Sequence, residues 1–210
     1  VCSIALPTLY GLYQKYGRRG IFIMTGIGVF SIAIETIAIH TGFPYSSFEY
    51  IAPFGHRLFD TTPWTVFLAW SPIVVGSYAL SQYWTRSHWA RLAMYLLILV
   101  GVDSVLDPGA VTRGLWEYTH GGFWYGVPIE NFLGWVFSGT IAYGIITLLL
   151  PHKARSPNIN IWLVIPLVGL LSLWTGASIG YGLFPVAIIG VTLLGLILWG
   201  ITKERGDIQL

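Results

Sequence analysis

Only one cysteine, Cys2, occurs in 210 residues, so neither an internal disulfide nor a cysteine-ligated metal cluster can form. Charge is almost as scarce. Asp, Glu, Lys and Arg make up 10% of the chain, against roughly 25% in a soluble domain. The net charge is only +2 and no basic stripe is present, which argues against nucleic acid as a partner. The three lysines, Lys15, Lys153 and Lys203, fall outside the apolar runs, and this excludes a retinal protein, which needs a Schiff-base lysine within a helix. The five histidines, His40, His56, His88, His120 and His152, are scattered, not boxed as in a membrane metal hydroxylase. Each reads as an interfacial side chain, and no metal site is expected. A membrane prenyltransferase needs two aspartate-rich motifs to hold magnesium-diphosphate, and only the DSVLD segment from Asp103 to Asp107 has that shape. No basic segment precedes an apolar core, so no signal peptide is expected.

Apolar residues fill the space that charge leaves. The chain is 55% hydrophobic with a mean hydropathy of +0.69, and the excess comes in runs of about 20 residues, the length that spans a bilayer. Complete spans are expected at about 20–40, 63–84, 90–106, 128–150, 161–179 and 183–201. The Asp107-Pro108-Gly109 sequence reads as the stop of the third. Residues 1–13 read as the tail of a further helix, too short to span. The expected fold is therefore all-α: a single polytopic integral membrane helix bundle over residues 1–210, with six complete transmembrane helices and a partial one at the start, about seven in all. Alternating the links between two sides puts Lys15, Arg18, Arg19, Arg86, Arg91, Lys153, Arg155, Lys203 and Arg205 on one side and only Arg57 and Arg113 on the other. The basic side is expected to be cytoplasmic, which makes this a multi-pass protein of the cell membrane with a cytoplasmic C-terminus.

Seven of the nine acids then fall in the non-cytoplasmic half: Glu35, Glu49, Asp60, Asp103, Asp107, Glu117 and Glu130. Glu49, Asp60 and Glu117 read as solvated loop residues. Glu130 suits a helix N-terminus, where the dipole favours a carboxylate. Glu35 and Asp103 lie inside apolar runs, where a carboxylate without a role costs several kcal/mol. Asp103 and Asp107 are four apart and share a helix face. Between Asp103 and Trp135 acids alternate with aromatics, among them Trp116, Tyr118, Phe123, Trp124 and Tyr125. Ionisable groups at membrane depth mark functional sites, and Glu35, Asp103 and Asn131, from three helices, are expected to converge on one cavity.

Buried carboxylates in divergent environments divide acid and base roles, and aromatic faces attract cations. These are the parts needed to protonate an alkene and manage a tertiary carbocation, by hydration, cyclisation or double-bond isomerisation of an isoprenoid. A proton-coupled transporter also uses intramembrane acids, but paired broken helices, which would mark its site, are not evident.

The ordered series ETIAIHTGFPYSSFEY, PWTVFLAW, LDPGAVTRGLWEY and GGFWYGVPIENFLGW, from Glu35 to Trp135, resembles the carotenoid biosynthesis membrane protein family, which includes carotenoid hydratases. The resemblance implies a cofactor-free enzyme that adds water across the terminal isoprenoid double bond of an acyclic carotenoid. The expected partners are a forty- or fifty-carbon acyclic carotenoid, water, the lipid bilayer and other membrane enzymes of the same pathway. Asp103 or Glu35 is expected to protonate the alkene, with Asp107 and Glu130 next in line. Asn131, Tyr45 and Tyr125 would orient water, Arg113 would hold a carboxylate ionised, and Trp116, Trp124 and Trp135 would line the polyene end. A carotenoid cyclase or isomerase, and a non-catalytic carotenoid- or lipid-binding membrane protein, remain as alternatives.

Overall fold

A computed structural model describes residues 2–85, 87–150 and 160–207. Among these residues the chain forms α1 (Cys2–Tyr16), α2 (Arg18–Thr41), β1 (Phe48–Tyr50), β2 (Arg57–Leu58), β3 (Thr62–Pro63), α3 (Val66–Trp84), α4 (His88–Thr112), β4 (Trp116–Tyr118), α5 (Ile129–Leu149), α6 (Ile161–Gly180) and α7 (Phe184–Asp207). The fold is an all-α membrane bundle. Five helices, α2, α4, α5, α6 and α7, are long and apolar enough to cross a bilayer. Arg86, Lys153 and Arg155, with the side chains of Lys203 and Arg205, lie outside the described residues.

The helix α3 departs from the expected set of spans. It has 19 residues, about 28 Å at 1.5 Å per residue, but its serines, Gln82 and aromatic residues lower its mean hydropathy. Its position explains the composition. Fourteen of the 19 residues are buried, because α1, α2, α4, α5 and α6 all pack around it. A helix enclosed by protein has no need of a lipid-compatible exterior, and small residues let its neighbours approach closely. A Cβ at Gly76, for instance, would lie 2.7 Å from Leu167 Cβ of α6.

The second departure corrects the expected stop at Asp107-Pro108-Gly109. Helix α4 runs through this sequence to Thr112. Proline has no N–H to bond the carbonyl four residues earlier, which here is that of Ser104. The indole Nε1–H of Trp124 donates to the Ser104 carbonyl oxygen at 2.9 Å. A donor from a distant loop thus replaces the missing helical bond and the helix continues.

At one end of the bundle the links carry a small two-stranded ribbon. β1 and β4 pair antiparallel, with Phe48 opposite Tyr118, Glu49 opposite Glu117 and Tyr50 opposite Trp116. Alternate residues of a strand face opposite sides. Glu49 and Glu117 therefore point outward and are exposed, while Phe48, Tyr50, Trp116 and Tyr118 face the helices. The other two strands, β2 and β3, make a short antiparallel pair of their own.

Candidate active site

The ribbon roofs a cavity of about 270 Å³ above the first turns of α3. One wall comes from α2 and α3. Glu35, 8% exposed, sits on α2 one and a half turns before its end. Its Oε1 accepts from Trp70 Nε1 at 2.7 Å, and its Oε2 accepts from the Tyr50 hydroxyl. Both carboxylate oxygens are thus held, one by α3 and one by the ribbon. Trp70 stacks its ring on Trp135 of α5, with centroids 4.7 Å apart and planes 26° from parallel, and Tyr45 lies edgewise to Trp70 at 6.4 Å.

Tyr45 arrives there by way of a sharp reversal. Gly42 closes α2 with φ of 78°, a conformation that suits glycine. The next residues then press on α5 at Gly134, where a Cβ would lie 2.7 Å from the Pro44 carbonyl oxygen. Only glycine at 134 admits this approach.

The facing wall comes from α4 and α5. Asp103 and Asp107, one turn apart, share a single partner, Asn131 in the first turn of α5. Asn131 Nδ2 donates to Asp103 Oδ2 at 2.8 Å and to Asp107 Oδ2 at 2.9 Å, which uses both of its N–H bonds. Asp107 Oδ2 also accepts from the Tyr118 hydroxyl at 2.6 Å. The partners of all three carboxylates are therefore neutral donors. Burial above all, and then the neighbouring carboxylates, push the Tyr50 and Tyr118 hydroxyls well above the ordinary phenol range. Both stay protonated, and so remain donors, through neutral and moderately alkaline pH.

The remaining carboxylate oxygens differ. Asp103 Oδ1 is sealed in protein without a partner among the described residues, and Asp103 does not line the cavity. Among the described residues Asp107 Oδ1 also has no hydrogen-bond partner, but it is not sealed, and Asp107 lines the cavity with Glu35 and Asn131. One oxygen of the cluster is thus open to whatever the cavity holds.

The residues singled out from sequence divide accordingly. Glu35, Asp107, Asn131, Tyr45, Trp116 and Trp135 line the cavity. Asp103 stands one step behind it and touches it through Asn131. Glu130, Arg113 and Tyr125 are exposed, and Arg113 caps α4 through its backbone. Trp124 supports Ser104. The donors Tyr50, Trp70 and Tyr118 were not foreseen. A signal existed all the same: they are the closing aromatics of FPYSSFEY, PWTVFLAW and RGLWEY.

The fold and site together define a class: a polytopic α-helical membrane protein with carboxylates opening into an aromatic, largely apolar cavity. The chain belongs to the carotenoid biosynthesis protein family, which it matches over residues 1–197. It is 31% identical over 185 residues to the bisanhydrobacterioruberin hydratase of Haloarcula japonica, in a match that covers 84% of this chain and 62% of that protein. The chain thus spans less than two thirds of the length of this relative. No solved structure matches it.

Proposed function

We propose that the protein is a hydratase that adds water across the terminal isoprenoid double bond of an acyclic carotenoid, giving a tertiary alcohol. The observation that carries this is the open Oδ1 of Asp107, set in a cavity whose other carboxylate, Glu35, has both oxygens occupied by donors. With both oxygens already accepting, Glu35 has no free oxygen from which to deliver a proton. Asp107 is held on one oxygen only, which leaves the other to deliver one.

In the proposed reaction, Asp107 Oδ1–H protonates the less substituted alkene carbon. The π pair forms the new C–H bond and leaves a tertiary cation. The faces of Trp70, Trp135 and Tyr45, which attract cations, and the Glu35 carboxylate stabilise it. Water attacks the cation, and its surplus proton returns to Asp107 Oδ1, so the cycle closes with no net change in the protein. Asn131 holds Asp107 in place and ties it to Asp103, which acts as a support behind the acid. Sequence reasoning alone favoured Asp103 or Glu35 as the proton donor; the hydrogen-bond pattern favours Asp107.

The ribbon and cavity are assigned to the non-cytoplasmic half of the cell membrane, with the C-terminus cytoplasmic. Among the described residues the basic side chains at the end opposite the ribbon include Arg18, Arg19 and Arg91, in keeping with the charge bias of the links.

Expression in a host that accumulates lycopene, with mass spectrometry of the pigments, tests the activity. The expected product has the mass of lycopene plus water. An isomer of unchanged mass and altered absorption would make the protein a cyclase or isomerase, and unaltered pigment would leave it a carotenoid binder.

A further inference from the structure

The cavity is chemically lopsided. Its carboxylates and hydroxyls gather against α2, α4, α5 and the ribbon, whereas its other end is lined by Ile4, Ile73, Leu170, Leu173 and Trp174, from α1, α3 and α6. The rest of the lining is buried or half-buried, but Leu173 is 59% exposed. The cavity therefore reaches the surface of the bundle at α6. Helix α6 is 20 residues long, about 30 Å, the thickness of a hydrocarbon core. Leu173 lies seven residues before its end, about 10 Å inside. With α6 spanning the bilayer, this opening falls at hydrocarbon depth, where lipid and not water would meet it.

Volume sets a second limit. At about 270 Å³ the cavity is below the ~300–1,000 Å³ of sites that enclose a whole drug-sized ligand. A chain long enough to extend across the bilayer core cannot be enclosed, so only its end fits.

We propose that the cavity is reached sideways from the bilayer, through an apolar mouth at Leu173 and Trp174. It admits only the end of a linear polyisoprenoid chain, and the rest of the chain lies in lipid against α6. That this chain is a substrate rests on the hydratase reading; the position of the mouth does not. The reacting end meets Asp107 and Glu35 at the closed, polar end of the cavity. A headgroup or bulky terminus would have to pass an apolar mouth with no polar partner, so unfunctionalised linear ends are the class selected.

Photo-crosslinking tests the mouth. The photoreactive residue p-benzoylphenylalanine is placed in the full chain at position 173 or, as a control, at position 133. Leu133 of α5 is 61% exposed and lies near the same end of the bundle, but does not line the cavity. Each protein is irradiated in lipid vesicles containing lycopene. One carotenoid adduct per protein is expected at 173, with loss of the adduct at 133. In parallel, Leu173→Trp should lower hydration of lycopene by narrowing the mouth, whereas Leu133→Trp, outside the cavity, should leave it unchanged. If lycopene binds but 173 gives no adduct, or reacts no more than 133, the sideways mouth is wrong, whether or not water is added. If the adduct forms at 173 and the wild-type protein never adds water, the mouth stands and the hydratase reading falls.

Discussion

Asn131 and Trp124 show how much the site depends on single donors. Both amide N–H bonds of Asn131 are spent on Asp103 and Asp107, so two carboxylates four residues apart can stand close together, Asp107 in the wall and Asp103 behind it. Trp124 acts at a distance from the cavity: its indole satisfies the carbonyl that Pro108 leaves without a helical donor. A buried acceptor stripped of its partner costs about 1–3 kcal/mol. Trp124→Phe is therefore expected to lower stability in detergent by about that amount while leaving the cavity lining unchanged. Pro108→Ala restores an N–H at position 108, so the same Trp124→Phe change should cost less in that background. A double-mutant cycle from unfolding measurements reads the difference. Equal costs in the two backgrounds would show that Trp124 stabilises α4 by packing alone. The sequence exposed the acids at this scale, because an ionisable residue inside an apolar run stands out on cost. It did not expose their partners. Which tyrosine meets which carboxylate is settled by how distant segments pack, and local spacing carries no trace of it.

Among the elements, the ribbon is the part that sequence reading missed. FEY and WEY are three residues each and lie 65 residues apart between their last members and first members, too short for an alternation pattern to register. Their tyrosines nonetheless fix the roof to both walls, Tyr50 to Glu35 and Tyr118 to Asp107. The helices were legible because a run of apolar residues declares a span; Pro108 misled, since a proline signals a stop unless a distant donor intervenes, and α3 proved less apolar than a lipid-facing span because protein surrounds it. The ribbon also carries an unfavourable pair: Glu49 directly faces Glu117 on its outer side. Like charges directly opposite destabilise a strand pair, and opposite charges contribute roughly 0.2–1 kcal/mol. Glu49→Lys is expected to slow amide exchange in the ribbon at low salt. The gain should fade near 1 M salt, where the screening length falls to about 3 Å. Unchanged or faster exchange at low salt would mean that the two glutamates are too far apart in solution to interact.

At the scale of the whole molecule, a cavity lies above the first turns of the central α3, which is otherwise enclosed by its neighbours, and the ribbon closes that space. Acids and aromatics from α2, α4, α5 and the ribbon thus meet although they are spread over a hundred residues of sequence. The proposed orientation rests on the charge bias of the links. In a Cys2→Ser background, His120→Cys is expected to react with a membrane-impermeant thiol reagent on intact cells, and Arg19→Cys only after the membrane is opened. The reverse pattern would turn the bundle over and put the cavity in the cytoplasmic half.

Acid delivery by Asp107 is tested most directly by product formed per unit of folded protein, with lycopene as substrate, in wild type, Asp107→Asn and Glu130→Gln. The amide keeps the shape of the side chain and removes the transferable proton. A positioned acid contributes typically ~10²–10⁴-fold, so Asp107→Asn should lose about that much hydration while still retaining carotenoid. Glu130→Gln, at an exposed position outside the cavity, should hydrate as the wild type does. An Asp107→Asn protein that hydrates at the wild-type rate would contradict the assignment of Asp107 as the proton donor.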